Sequence, residues 1–254
     1  MSNTVHNLVA KQFSPRAAAY VQSAVHAQGE DLNQLAKFAE ANKFGRALDL
    51  GCGGGHASFT IAPHVGEIIA YDLSAEMLGA VAQEAANRGL ANLKTQQGTV
   101  EKLPFPDASF DFVTTRYSAH HWHDIRAGLR EARRVLKPGA HAMFMDAVPP
   151  ENPLLDTFIQ TIEMLRDPSH VRDYSVSEWT SMLREAGFEP ALATTHRIHL
   201  DFATWTARMQ TKPVYANAIL ALQKDMSEDV VKHFAIEPDG SFMLDSMSMA
   251  AVAV

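Results

Sequence analysis

The stretch Ala47-Leu48-Asp49-Leu50-Gly51-Cys52-Gly53-Gly54-Gly55 decides how the chain is read. Arg46 to Leu50 is a short apolar run with one acid inside it, the pattern of a buried parallel strand. It runs straight into glycines two, four and six residues after Asp49. Glycines there let the backbone turn sharply and come close to a ligand. His56 to Pro63 then reads as a helix start. A strand–glycine loop–helix unit puts the loop at the carboxyl end of a strand, where doubly wound sheets bind ligands.

Working outward, helical spacing covers residues 31–43 before this strand. After it, Glu67 to Tyr71 reads as a second buried strand ending on Asp72, and Ser74 caps a helix through Arg88. Leu93 to Gln97 and Phe110 to Thr115 read as further strands. Asp124 to Leu136 is an amphipathic helix stopped by Lys137-Pro138-Gly139, and His141 to Asp146 follows as a strand. Alternating strands and helices imply a mostly parallel sheet with right-handed crossovers. Beyond Pro149, residues 153–166 and 177–187 read as helices, and 191–200 as a strand. Residues 202–236 hold one to three helices, and Ser241 to Val254 reads as a closing strand. The expected architecture is a doubly wound α/β domain over 1–254, with a seven-stranded sheet and a helical cap from 151–172 and 202–238.

A glycine loop followed by an acid also describes dinucleotide-binding proteins. Their G-x-G-x-x-G spacing fails here, because counting from Gly51 puts His56 at the third glycine, and counting from Gly53 puts Ser58 there. Asp49 inside the strand end, where dinucleotide folds keep an apolar residue, also favours S-adenosylmethionine over NAD. An NAD-dependent oxidoreductase stays the alternative, as does a donor-binding protein without catalysis.

Four ordered segments carry a family resemblance. Asp49-x-Gly51-x-Gly53-x-Gly55 resembles motif I of class I S-adenosylmethionine-dependent methyltransferases. Leu103-Pro104-Phe105-Pro106-Asp107-Ala108-Ser109-Phe110-Asp111, Ala119-His120-His121-Trp122 and Arg134-Val135-Leu136-Lys137-Pro138-Gly139 resemble signatures of the type 11 group. That group includes the ubiquinone and menaquinone C-methyltransferases. Ser118 to Asp124 and Ser169-His170-Val171-Arg172 are similar to the bacterial YafE group. The resemblance implies methyl transfer to a small-molecule acceptor, leaving S-adenosylhomocysteine. It places Gly51 and Gly53 along the methionine moiety, Asp49 at the donor's amino group and Asp72 at the ribose hydroxyls. Leu73 and Met77 would pack near the adenine. Where the family often has Gly-Asp-Ala-Glu, this chain has Gly98-Thr99-Val100-Glu101, so Thr99 or the Val100 backbone would read the adenine. Glu101 and Arg116 complete the expected donor set. Phe13 and Tyr20 match an N-terminal pattern (QFSPRAAAY) that closes over the donor, which makes residues 1–30 a lid over a donor-binding core at 31–146. Ordinary packing of a first helix is the other reading of that aromatic pair.

His120 and His121 are the candidate catalytic residues, needed as a base only if the acceptor loses a proton. With His123 and Asp124 they suggest zinc, but neighbours in a strand-to-helix loop point in different directions, so no metal is expected. Cys52 reads as a small loop residue, and Met243, Met247 and Met249 as strand packing. His170, Arg172, Trp205 and Arg208 fall in the divergent cap and are expected to meet the acceptor. Either arginine could clamp a carboxylate or phosphate, and a surface ion pair explains each equally well.

Composition excludes other classes. The 254 residues carry 22 basic and 29 acidic side chains, a net charge of −7, which disfavours a nucleic-acid partner. The one compact basic cluster, Arg130, Arg133, Arg134 and Lys137, reads as a solvated helix face. Thr115-Arg116-Tyr117-Ser118 stands where amino-methylating DNA enzymes carry Asn/Asp-Pro-Pro-aromatic. The single cysteine permits no internal disulfide, and neither a signal-like apolar start nor an 18-residue apolar run is present. A cytoplasmic protein without a membrane partner is the expectation.

Overall fold

The structure, a computed structural model, describes residues 4–21 and 28–254. Its N-terminal segment forms helix α1 (Val5–Phe13), a 3-10 turn at Ser14–Arg16 and α2 (Ala17–Val21). The core follows as α3 (Glu30–Asn42), β1 (Arg46–Leu50), α4 (His56–Ile61), β2 (Glu67–Asp72), α5 (Ala75–Asn87), β3 (Leu93–Gln97), β4 (Phe110–Arg116), α6 (Ile125–Val135) and β5 (Leu136–Ala147). The remainder is α7 (Pro153–Arg166), α8 (Val176–Glu185), β6 (Phe188–Pro190), β7 (Thr194–Leu200), α9 (Phe202–Met209), α10 (Pro213–Asp225), α11 (Glu228–Phe234) and β8 (Phe242–Ala253).

β1 lies at the centre because it is apolar on both faces. Leu48 and Leu50 pack with Tyr71, Phe144 and Trp179 on one side, and Ala47 with Leu35, Ile68 and Phe112 on the other. It pairs in parallel with β2, Leu48 opposite Ile69, and with β4, Asp49 opposite Thr114. The strand order is β3-β2-β1-β4-β5-β8, and both β6 and β7 line the outer edge of β8, which runs antiparallel to β5. The sheet thus has seven positions filled by eight strand segments. The chain reverses direction of travel across the sheet between β1 and β4, so their carboxyl ends form the switch-point crevice.

The closing half differs from expectation in three places. β5 begins at Leu136, not His141: Leu136 pairs with Phe110, and the register shifts before Phe112 meets His141. Pro138 has no N–H to give a regular ladder and Gly139 adopts φ +73°, so Lys137-Pro138-Gly139 becomes an irregularity within a strand. The strand expected at 191–200 appears as β7 (Thr194–Leu200), and a further short strand, β6 (Phe188–Pro190), precedes it; both pair with the 12-residue β8. Residues 202–236 hold three helices, which with α7 enclose a separate apolar cluster around Phe158, Trp205, Ile219 and Phe234. None of the described helices is long and apolar enough to cross a membrane.

Trp179 of α8 is fully buried, stacks 5.7 Å from Phe144 of β5, and leaves its indole N–H without a partner among the described residues. Trp179→Ala should therefore cost about 3–5 kcal/mol in urea unfolding. Trp179→Phe should cost much less, because the lost N–H was already unsatisfied. A loss below about 1 kcal/mol for the alanine variant would mean α8 is not fixed through this ring.

Candidate active site

The carboxyl ends of β1, β2 and β4 open on a hollow of about 120 Å³. Asp49, Gly51, Gly53, Asp72, Leu73, Met77 and Arg116 line it from the sheet side; Phe13 and Tyr20 close it from the N-terminal helices. Gly51 has φ +64°, and a Cβ there would meet the Ser118 hydroxyl at 1.8 Å, so both backbone and space demand glycine. Gly53 has φ +48°, and its N–H donates to Asp72 Oδ2 at 2.9 Å. The Ser74 N–H donates to Asp72 Oδ1 at 2.9 Å. Burial raises the Asp72 carboxyl, and these backbone donors pull it back.

Asp49 is less fully matched. The Ser58 hydroxyl donates to its Oδ2 at 2.6 Å, but the buried Oδ1 has no partner among the described residues. Burial pushes this carboxyl up to about 6, against the Ser58 hydrogen bonds. A half-satisfied buried carboxylate on the wall of a hollow suits a ligand that brings an ammonium group. The donor's amino group fits that requirement.

Thr99, Val100 and Glu101 are not on this wall. The Thr99 carbonyl accepts the Tyr71 hydroxyl at 3.1 Å, and Val100 packs into the core. The Glu101 carboxylate accepts the backbone N–H groups of His123 at 3.0 Å and Asp124 at 3.4 Å. Glu101 thereby holds the loop after the histidines.

A second cavity of about 610 Å³ adjoins the first. Phe13, Tyr20, Arg116, Tyr117 and His121 line both. His120, His170, Trp205 and Arg208 line the larger one; Arg172 does not, and is engaged with Asp156 at 3.0 Å and Glu178 at 3.3 Å. For Arg172 the ion-pair reading holds.

The histidines sit on a 3-10 turn, Ala119–His121, that follows β4. Trp122 anchors the turn, its indole N–H donating to Ser118 Oγ at 3.1 Å. His120 Nδ1–H donates to Asp146 Oδ1 at 2.6 Å, and Asp173 lies 3.9 Å away. Burial works against a charge on His120, but Asp146, Asp173 and Glu163 outweigh it and raise the imidazole to about 9. His121 goes the other way: burial and the His120 charge press it well below the usual range. Its Nδ1 lies 3.0 Å from the Ser169 carbonyl, which can only accept, so Nδ1 carries the proton and Nε2 keeps a free lone pair. His170 is pressed down by burial and by both neighbours, with Nε2 3.1 Å from Gln160 Oε1. The ligand atoms of His120, Asp146 and Asp173 lie within 4.8 Å of one another, a grouping that could hold a metal ion.

Sequence reading missed Tyr117, Asp146, Asp167 and Asp173. Tyr117 adopts φ +49° at the end of β4, a strained conformation for a bulky residue that no sequence pattern announced. Asp146 did carry a signal: like Asp49 and Asp72, it is an acid at the carboxyl end of a strand.

The chain matches the methyltransferase domain family over residues 48–144. It is 45% identical over 197 residues to the uncharacterized protein YafE of Escherichia coli, covering 78% of this chain and 95% of that protein. It is 45% identical over 224 residues to the uncharacterized methyltransferase YcgJ of Bacillus subtilis, 88% of each. The YcgJ crystal structure superposes with a TM-score of 0.84 over 88% of this chain and 98% of that one, at 34% identity. The chain belongs to the class I S-adenosylmethionine-dependent methyltransferases, in the YafE-like group. Membership decides between the methyl donor and the nicotinamide alternative, and the methyltransferase is an enzyme. A 2-phytyl-1,4-naphtoquinone methyltransferase from Synechococcus elongatus is 39% identical over 130 residues, 49% of this chain and 55% of that protein.

In this methyltransferase the glycine loop also seats the N-terminal segment. His56 Nε2 lies 2.8 Å from the Tyr20 carbonyl, and a Cβ on Gly54 would meet Tyr20 backbone atoms at 2.8 Å. Gly54→Ala should push α2 off the loop and weaken S-adenosylhomocysteine binding about tenfold or more, with little change in global unfolding. Calorimetry together with limited proteolysis before residue 28 checks this; unchanged affinity and unchanged cleavage would reject it.

Proposed function

We propose that the chain methylates a small molecule, with S-adenosylmethionine held in the smaller hollow and the acceptor in the 610 Å³ cavity. The observation that carries this reading is the common wall of Phe13, Tyr20, Arg116, Tyr117 and His121, where the two ligands would meet. The donor supplies a methyl carbon already activated on sulfur, so the protein's task is alignment and exclusion of water. Asp49 Oδ1 holds the amino group, Asp72 the ribose hydroxyls, and Leu73 and Met77 pack beside the adenine. With Thr99, Val100 and Glu101 off the wall, adenine recognition falls to Leu73, Met77 and neighbouring backbone. Residues 4–21 act as the lid; the remainder of the expected 1–30 lid includes 1–3 and 22–27, which lie outside the described residues. The cavity has the size of small-molecule sites, and the naphthoquinone-methylating relative supports an acceptor of that scale.

Within this frame the two histidines divide the work. His121 Nε2 takes the acceptor's proton. Methyl transfer removes one positive charge from the shared wall as His121 gains one, and Asp167, 3.9 Å from Nε2, steadies it. His120, held charged by Asp146, supplies a fixed cation beside the acceptor. The 2.6 Å between His120 Nδ1 and Asp146 Oδ1 is a hydrogen-bond distance, so this reading gives the pair a shared proton.

Two results follow. Donor affinity should be flat above about pH 6 and fall by up to tenfold per unit below it, as Asp49 takes up a proton. The same raised carboxyl costs the donor-free fold stability, growing from the unfolded value of 3.8 up to about 6 and constant above, on the order of 2–3 kcal/mol. Asp49→Asn should therefore abolish the pH dependence of binding, weaken the donor at pH 7.5, and raise the melting temperature of the free protein. A variant that binds normally would place the amino group elsewhere.

With donor saturating at every pH, the rate should show no inflection near the ordinary imidazole value of about 6.5 and should decline near pH 9, where His120 loses its charge. Asp146→Asn should move that decline to lower pH, His121→Ala should cut turnover about 10²–10⁴-fold with donor affinity kept, and chelators should leave the rate intact. Initial rates from pH 5 to 10 decide it, and loss on chelation restored by zinc would reverse the assignment.

A further inference from the structure

We infer that the acceptor carries an oxyanion, a carboxylate or phosphate group, that seats on Arg208. This rests on the acceptor occupying the larger cavity. Four arginines line that cavity, and three have an anionic partner. Arg116 pairs with Asp31, Arg166 Nη1 lies 2.8 Å from Glu163, and Arg197 Nε lies 3.6 Å from Asp245. Arg208 has neither an ion pair nor a hydrogen bond among the described residues, although it is only half-exposed. Burial and the nearby Arg166 charge both work against its protonated form. Glu163, whose field acts on it, is bonded to Arg166 instead.

A guanidinium cannot shed its charge at neutral pH, so an unmatched one facing a cavity is stable only if water or a ligand answers it. Arg208 is held there by its helix. Phe202, Trp205 and Met209 of α9 pack inward, and Asp201 caps the helix by accepting the Thr204 N–H at 2.8 Å. Its place in the last turn also suits the helix dipole, but that gain of about 0.3–1 kcal/mol needs no burial. Tyr20 follows Arg208 along the wall, its hydroxyl donating to Met209 Sδ at 3.3 Å, then Phe13 at 5.5 Å and His121 at 5.0 Å from Phe13. An acceptor anchored by its oxyanion at Arg208 would lie along two aromatic rings with its nucleophile toward His121. A planar or aromatic acid fits that path.

The test is calorimetric titration of the full chain saturated with S-adenosylhomocysteine, using benzoate, phenyl phosphate and benzamide as probes. One anion at least should bind about tenfold to a hundredfold tighter than benzamide. Which one leads names the acceptor's group. Arg208→Met should erase the preference and Arg208→Lys should keep part of it, while both bind S-adenosylhomocysteine within about twofold of wild type, which shows that they fold. Benzamide binding as tightly as both anions, failure of both anions to bind the wild type, or a preference that survives in Arg208→Met would each overturn the inference. Failure of S-adenosylhomocysteine to bind the wild type would instead sink the donor reading, and the anion titration on the free chain would still report on Arg208.

Discussion

Asp49 is buried where Ser58 supplies its side-chain hydrogen bond and Oδ1 has no partner among the described residues. The rest of the donor site is arranged around that mismatch. β1 carries the acid into the core because Leu48 and Leu50 are buried on one face and Ala47 on the other. Gly51 and Gly53, both at positive φ, then turn the chain within two residues beside the carboxylate. An aliphatic residue at position 49 would suit the core better and would leave nothing for an ammonium group to meet. On the proposed reading the site is a local loss of stability that donor binding would recover, the usual relation between a prepared site and the fold that supports it.

The acceptor side rests on a different use of buried charge. Asp146, Asp167, Asp173 and Glu163 are all nearly inaccessible and act on His120 or His121. Four unanswered carboxylates there would be untenable. Ser169 caps Asp167 through its N–H at 2.8 Å and its hydroxyl at 2.6 Å, Arg166 answers Glu163, and His120 answers Asp146. Asp173 is left with its carboxyl raised well above the ordinary range by burial. This acidic surround raises His120 above the usual imidazole range, while burial, with the His120 charge, lowers His121. The two adjacent imidazoles, 4.3 Å apart, are thereby pushed in opposite directions.

What could be read from residues alone follows from how local each constraint is. The strand–loop–helix unit at 46–61 and the acid at Asp72 are set by neighbours in sequence, and their spacing separated them from a dinucleotide loop. Asp124 capping α6, with the Ala127 N–H donating to Oδ1 at 2.9 Å, is equally local. The closing edge was legible only in part: β7 was read from its own residues, whereas the three-residue β6 owes its place to pairing with Ala251–Ala253 at the far end of β8. Thr99 to Glu101 were assigned by position in a motif, whereas the contacts of the Thr99 carbonyl with Tyr71, the Val100 side chain with the core and the Glu101 carboxylate with the His123 loop are all long-range. His120 and His121 were found together, but the pattern HHW could not divide their roles. That division comes from Asp146 and Ser169, which lie 26 and 48 residues away.

The N-terminal helices bind the two halves of the site into one device. Phe13 and Tyr20 are among the residues that line both the smaller hollow and the 610 Å³ cavity, the proposed donor and acceptor sites. Phe13 stacks edge-on to His121, Tyr20 bonds to Met209 of α9, and Gln12 Nε2 donates to the Met209 carbonyl at 3.0 Å. The segment therefore rests on the glycine loop at one end and on the Arg208 helix at the other. Any ligand that settles the segment against the loop also fixes the wall on which the second ligand lies, so the two bindings share one ordering cost. Positive coupling between donor and acceptor then needs no movement of the sheet, only the seating of α1 and α2.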